Sequence, residues 1–421
     1  MATSSFRISQ LAVPSVCFLI SFLAYGSQYF FRHFEPAPLR DTELWRINIF
    51  ALCIWICYYR TCTVDPGRIP KDWRPVDSNQ LEADRSGRHR WCRKCEAYKP
   101  PRAHHCRTCQ RCIPRMDHHC PWTSNCVSHF TLPHFIRFLF YTVTGMSYLE
   151  TLLYERASIV WASRNLPSYL GPSAMQMAFL FVLLVLNSFT TFFLVILFVR
   201  TIWSLSINTT TIEDWEIERH QTLVRRARHF GGYLTGPGGV RVRIQKQEFP
   251  YDIGILSNIK AGMGGSWNIL AWFSPLARTS DRKTGLDFEV NGFEDPNVFW
   301  PPPDPDRIPV AAKKNYRNDP SAAFTHTEGS LLSEPVPTAD QKVRRRKRFH
   351  DRFSEPQSEP DSSNAGESPS YSTESSSDGE EGWRNSEGER LRDFGVEEDI
   401  EFYDEEDIPL AILMQRRADH Q

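Results

Sequence analysis

Between Cys92 and Cys126 the chain places seven of its eleven cysteines and four histidines within 35 residues. The order is Cys-x2-Cys, ten residues, Cys-x2-Cys-x2-Cys, then Asp117-His118-His119-Cys120-Pro121-Trp122 and a last cysteine at 126. A structural zinc ion takes thiolate and imidazole donors four at a time, and cysteines in this spacing offer two sulfurs from one tight turn. Cys92/Cys95 and Cys106/Cys109 are such pairs. With Cys112, Cys126 and two of the histidines His104, His105, His118 and His119 they make eight ligands, enough for two closed sites. Cys120 is then left over. A thiol beside His and Asp is the setting of a nucleophile, in which imidazole takes the thiol proton and a carboxylate holds the imidazole. Because Asp117, His118 and Cys120 are nearly contiguous, neither helical nor strand spacing is expected to assemble them; a metal-pinned loop is expected to do so.

The segment resembles the DHHC protein acyltransferases (palmitoyltransferases). The resemblance rests on Cys92-x2-Cys95, Lys99-Pro100-Pro101-Arg102-Ala103-His104-His105-Cys106, Cys109, Cys112, Asp117-His118-His119-Cys120-Pro121-Trp122 and Asn125-Cys126. It implies one zinc ion held by Cys92, Cys95, His105 and Cys112, and a second held by Cys106, Cys109, His119 and Cys126. It also implies Cys120 as the acyl-accepting nucleophile, His118 as its base and Asp117 as the group that polarises His118. Ser128 stands where the family usually has glycine, which concerns a local turn. Thr210-Thr211-Ile212-Glu213 is a helix-capping pattern by spacing; in the family a Thr-Thr-x-Glu implies a threonine hydroxyl that orients Asp117. Phe249-Pro250-Tyr251-Asp252-Ile253-Gly254 with Asn258 resembles the family's C-terminal motif, in which the aromatic residue and Asn pack against the catalytic region. That order, followed by Trp267 to Pro275, resembles the fungal endoplasmic-reticulum branch.

These residues need elements to hold them. The chain has 421 residues, 41% hydrophobic and with a net charge of -1, which carries no signal for a nucleic-acid partner. Leu11 to Phe31 is 21 residues without a charge and Ala174 to Val199 is 26, each long enough to cross a bilayer as a helix. A second candidate span runs from Arg46 to Cys62 and ends before the turn Asp65-Pro66-Gly67. A third runs from His134 to Tyr154, with Arg137 and Glu150 expected near its two membrane edges. Four spans place both termini and the Cys/His loop on one side. The 13 Lys and Arg between Asp65 and Pro133, against two between Glu155 and Ser173, make that side cytosolic. Zinc-bound thiolates also need a reducing compartment. The fold expected is therefore an α-helical polytopic membrane protein with four transmembrane helices, a cytosolic zinc-binding Cys/His-rich domain and a disordered C-terminal tail. Residues 1–64 carry the first two spans, 65–133 the zinc domain, 134–205 the other two spans and 206–300 a cytosolic C-terminal region. Residues 301–421, rich in Pro, Ser and charge, read as disordered. No internal repeat stands out.

The resemblance implies transfer of a fatty acyl group from palmitoyl-CoA to a cysteine of a client membrane protein at the endoplasmic-reticulum membrane, in two steps through Cys120. The partners are acyl-CoA, clients with cysteines close to the membrane, and the bilayer. The two zinc ions are structural, and Arg102, Arg107, Arg111 and Arg115 are candidates to meet CoA phosphates. The alternative is a zinc-stabilised membrane scaffold without catalysis.

Overall fold

The computed structural model describes residues 11–35, 37–74, 91–165, 167, 171–236, 241–292, 300–302, 304–305 and 383–397. A first rod is built from α1 (Ala12–Ser21), a π-helical stretch Phe22–Gly26 and α2 (Ser27–Arg32). Three long helices follow: α3 (Asp41–Thr63), α4 (Leu132–Ala162) and α5 (Ala174–Ser206). Pro133 sits in the first turn of α4, where a missing amide costs nothing. Ser173 caps α5 by accepting from the Gln176 amide. Helix α4 packs between α3 and α5, and Phe31, Ile47, Leu153 and Leu183 share the cluster that joins all four rods.

Two of the rods, Ala12–Arg32 and Ala174–Ser206, are long and apolar enough by composition to cross a membrane. Large apolar side chains such as Phe181, Phe189 and Phe192 lie more than half exposed on α5. Helices α3 and α4 carry charges, and the structure shows what those charges do. Arg156 pairs with Glu43 at 2.8 Å, both nearly inaccessible, and lies over the Phe31 ring. Glu150 was expected near one edge of the third span. It lies well inside α4 and accepts from Asn187 Nδ2 and Ser188 Oγ of α5, each at 2.6 Å. Arg137 donates to the carbonyls of Ala271 and Trp272 and is buried.

The Cys/His segment folds as three small antiparallel hairpins: β1 (Trp91–Cys92) with β2 (Ala97–Tyr98), β3 (His104–Cys106) with β4 (Arg111–Ile113), and β5 (His118–Cys120) with β6 (Asn125–Val127). Asn125 ties the last hairpin to the end of α3, donating to the carbonyls of Thr61 and Val64. Gly67, at φ +99°, lies under the Phe130 ring, which a Cβ would meet at 2.7 Å. Ser128 needs no glycine conformation; its hydroxyl is buried and donates to the Pro66 carbonyl.

After α5 come α6 (Thr211–Arg228), the hairpin β7 (Tyr233–Thr235) with β8 (Arg241–Arg243), α7 (Ile255–Gly262) and the short α8 (Ile269–Phe273). Asn258, fully buried, donates to the Ser206 carbonyl and to Asp252, and so fixes the Tyr251 segment to the end of α5.

The expectation of disorder throughout 301–421 does not hold for 383–397. This stretch packs on the Cys/His segment and α6 through Leu391, Phe394 and Val396, which are buried with Ile113, Met116, Ile212 and Trp215. Trp383 meets Trp215 edge-on at 4.8 Å, and Val396 bridges to Cys106. Three well-spaced apolar residues supply here the buried area that the surrounding acidic sequence lacks. The basic run 342–352 and the Ser-rich stretch 354–377 lie outside the described residues.

Candidate active site

Alternation along short strands decides which residue faces what. Successive side chains of a strand point to opposite faces, so on β5 His118 and Cys120 share one face and His119 takes the other. Strand spacing therefore does bring the imidazole to the thiol, contrary to the expectation from sequence. On β3 the same rule sends His105 and Cys106 to different metal clusters.

Those clusters are Cys92, Cys95, His105 and Cys112, and Cys106, Cys109, His119 and Cys126, the donor atoms of each lying within 4.8 Å of one another. In the first, His105 Nδ1 is 3.3, 3.3 and 3.8 Å from the sulfurs of Cys92, Cys95 and Cys112. In the second, His119 Nδ1 is 3.6, 3.5 and 3.5 Å from those of Cys106, Cys109 and Cys126. A tetrahedron with zinc–sulfur bonds of about 2.3 Å and zinc–nitrogen bonds of about 2.05 Å has a sulfur–nitrogen edge of about 3.6 Å. Both donor sets fit zinc, and with four protein donors each they leave no position for substrate.

The second set is the first advanced by fourteen residues, a period missed in the sequence. The residues at positive φ after each turn, Glu96, Gln110 and Ser124, at 51°, 53° and 50°, keep the same period. So do the pairings Cys92 with Ala97, Cys106 with Arg111 and Cys120 with Asn125. Cys120 thus holds the first-cysteine position of a third knuckle, and Thr123 stands where Cys95 and Cys109 stand in the other two.

Around Cys120 the polar groups form a chain. His118 Nδ1 lies 3.2 Å from Asp117 Oδ2. The Thr211 amide, at the start of α6, donates to Asp117 Oδ1 at 2.5 Å, and the Thr211 hydroxyl donates to the Asp117 main-chain carbonyl at 2.7 Å. The threonine pair thus divides its work. Thr211 holds Asp117, with the amide rather than the hydroxyl on the carboxylate, while Thr210 caps α6 by accepting from the Glu213 amide at 3.2 Å. A helix N-terminus suits a carboxylate for electrostatic reasons as well.

Burial opposes ionisation of Asp117, but His118 and the Thr211 donors outweigh it and hold the carboxyl below its usual range. Burial likewise opposes the His118 imidazolium, but Asp117 and Cys120 raise it to about 10. The Cys120 thiol is pushed up by burial and, more strongly, down by His118 and by the hydroxyl and amide of Thr123, so it stands below its ordinary value. The amide contribution matches the second knuckle, where the Cys109 amide donates to Cys106 Sγ at 3.3 Å. The three groups thus favour one another's charged forms: Asp117 and Cys120 raise the His118 imidazolium, and His118 lowers both the carboxyl and the thiol.

The arginines are mostly engaged in the fold. Arg102 and Glu213 form a buried two-toothed pair at 2.6 and 2.7 Å. Arg102 and Arg115 both donate to Asn208, whose own amide donates to the Tyr251 carbonyl. Arg111 pairs with Asp65 at 2.5 Å. Of the four arginines expected to meet phosphates, these three serve structure, and only Arg107 presents an exposed side chain without such an ion pair among the described residues. A cavity of about 290 Å³ opens beside this chain of polar groups, lined among others by Asp117, His118, Phe135, Arg200, Thr211 and Phe394.

Residues 85–218 match the family described as DHHC palmitoyltransferase. Over 99% of both chains, the sequence is 67% identical to palmitoyltransferase pfa4 of Aspergillus fumigatus. It is 62% identical to palmitoyltransferase pfa4 of Emericella nidulans, over all of this chain and 99% of that one. It is 41% identical to palmitoyltransferase PFA4 of Gibberella zeae, over 97% and 96%. With full-length relatives this similar, and a site built of the residues for which the family is named, the chain belongs to the DHHC palmitoyltransferase family.

Proposed function

We propose that the protein is an S-palmitoyltransferase that moves a fatty acyl group from acyl-CoA to a cysteine of a membrane-associated client, with Cys120 carrying the acyl group between the two. The observation that carries this reading is the position of Cys120. Of the seven cysteines in the segment it alone lies outside both donor clusters, and it shares a strand face with His118.

In the first half-reaction the Cys120 thiolate attacks the thioester carbonyl. The acyl–sulfur bond to CoA breaks, and the departing CoA thiolate takes a proton from the His118 imidazolium. In the second, His118 accepts the proton of the client thiol, the client sulfur attacks the acyl-enzyme, and Cys120 leaves as thiolate. One thioester replaces another in each step, so the chain's task is positioning and charge stabilisation. Asp117 holds the His118 ring in place throughout and stabilises its imidazolium before the first step and after the second. Cys92, Cys95, His105 and Cys112 hold one zinc ion and Cys106, Cys109, His119 and Cys126 the other, and the ions supply structure.

Four transmembrane helices fit this chemistry, with both termini and the zinc domain on the cytosolic face of the endoplasmic-reticulum membrane. Helices α3 and α4 lack the uniform apolarity of the other two, yet their charges are met internally by Glu43 with Arg156 and by Glu150 with Asn187 and Ser188, the condition for ionisable groups in a bilayer. Exposed Tyr29, Trp45, Tyr154 and Trp161 cluster toward one end of the bundle, and Tyr59 and Trp203 toward the other, as interfacial aromatic residues do. This topology sets Cys120 at the interface between the acyl chain's apolar medium and the headgroup's aqueous one.

The test is incubation of the purified protein and its Cys120→Ser variant with labelled palmitoyl-CoA. A hydroxylamine-sensitive label on the wild type alone is expected. No label on a folded, zinc-loaded wild type would favour the scaffold, and label on both would place the nucleophile at another cysteine.

A further inference from the structure

The two zinc-ligand histidines differ in what meets the ring nitrogen turned away from the cysteines. His105 presents Nδ1 to its three cysteines, so Nε2 points outward into a fully buried position. There it faces Oε2 of Glu397 at 3.7 Å, and neither atom has another hydrogen-bonding partner among the described residues. Two complementary orphan atoms, a ring N–H donor and a carboxylate acceptor, are thus turned toward each other across a gap that a small side-chain adjustment closes. A metal-bound imidazole ordinarily donates its second N–H to such an acceptor, which fixes the tautomer and the plane of the ring.

We propose that Glu397 is a positioning residue of the first zinc site: it accepts the Nε2 proton of His105 and so holds Nδ1 toward Cys92, Cys95 and Cys112. This inference rests on the zinc-ligand reading above. Glu397 is brought to its place by groups other than its own carboxylate. Its amide donates to the His105 carbonyl at 3.2 Å, the Arg107 amide donates to the Gly395 carbonyl at 3.0 Å, and Leu391, Phe394 and Val396 are buried. Gly395 adopts φ +85° and approaches so closely that a Cβ would meet the His119 Cβ at 2.7 Å. Truncating the Glu397 side chain therefore leaves the segment seated. The other oxygen of Glu397 is paired with Lys94, which provides a control.

The experiment measures zinc release from the full-length protein in detergent, challenged with a colorimetric chelator. The wild type should hold two ions per chain. Glu397→Ala should release one of them about 10- to 100-fold faster and the other at the wild-type rate. Glu397→Gln, which keeps an acceptor oxygen at the same reach, should restore release to within a few-fold of wild type. Lys94→Met, which removes only the ion pair, should behave as wild type. Unchanged release in Glu397→Ala overturns the proposal, as does equally fast release in Lys94→Met or no rescue by Gln. Acceleration at both sites would mean general loosening of the segment and overturn it as well. A wild type without two zinc ions would overturn the ligand reading itself.

Discussion

Asp117→Asn isolates charge from shape. The amide is isosteric and its oxygen can still accept from the Thr211 amide, so the turn before β5 keeps its anchor. What it loses is the negative charge 3.2 Å from His118 Nδ1. At an effective dielectric of about 20, a unit charge at that distance is worth about 5 kcal/mol to the imidazolium, or between three and four decades in proton affinity. His118 stands at about 10 with Asp117 in place, so the loss brings it to an ordinary imidazole or below, and at neutral pH the ring becomes neutral. Cys120 then loses the cation that keeps it ionised. The assay is alkylation of full-length protein with iodoacetamide across pH, read at the Cys120 peptide by mass spectrometry, alongside autoacylation. The wild-type thiol should react as thiolate through neutral pH and lose reactivity on the acid side. Its imidazolium partner discharges only as the pH rises through about 10. In Asp117→Asn the alkylation profile should move to higher pH by more than about two units, with autoacylation at pH 7 down about 100-fold or more. A displacement under one unit in a protein that retains both zinc ions would refute the assignment of charge control to Asp117.

Glu213→Gln leaves the buried Arg102 without its counter-charge and should destabilise the zinc domain by about 3–5 kcal/mol, read as a lower midpoint of thermal unfolding; an unchanged midpoint would show that Asn208 and the ring of Tyr251 suffice for Arg102. Cys106→Ala should lose bound zinc together with autoacylation, whereas Cys120→Ser should keep two ions per chain and lose only the label; metal analysis separates the two. Thr123→Cys restores the second sulfur of a third knuckle, so autoacylation should become sensitive to micromolar cadmium with a new sulfur-to-metal absorption band; equal sensitivity in wild type and variant would mean that the third turn does not share the geometry of the other two.

The two Cys/His clusters were legible because a metal demands particular donors, and Cys120 stood out as the thiol that they leave over. What alternation of strand faces contributes was not, since β5 is only three residues long and shows no periodicity to read. The fourteen-residue period was on the page in cysteines 92, 106 and 120, but Thr123 breaks the pattern at its most recognisable element. Helix α4 runs past the candidate span His134 to Tyr154, and its charged residues Arg137, Glu150 and Arg156 find partners in Trp272, Asn187 and Glu43, each more than thirty residues away in sequence, where no local pattern shows them. Residues 383–397 were hidden for a different reason: composition averages over a window, and Trp383, Leu391, Phe394 and Val396 are diluted by acidic neighbours. The capping pattern of Thr210 to Glu213 was read correctly, and it coexists with the contact to Asp117 because the two threonines point to different partners.

The seat of residues 383–397 on β3 and α6 also sets a timetable. Chains emerge from the ribosome at about 5–20 residues per second, and about 270 residues separate Cys126 from Glu397. For roughly 15 to 50 seconds, then, a nascent chain carries both Cys/His donor clusters together with Asp117, His118 and Cys120 while Cys106 and Ile113 still lack the cover that Phe394 and Val396 bring. The newly made Cys/His segment is thus exposed first and roofed last, and a chain interrupted in translation before residue 383 would leave that apolar face open to whatever recognises unfinished proteins.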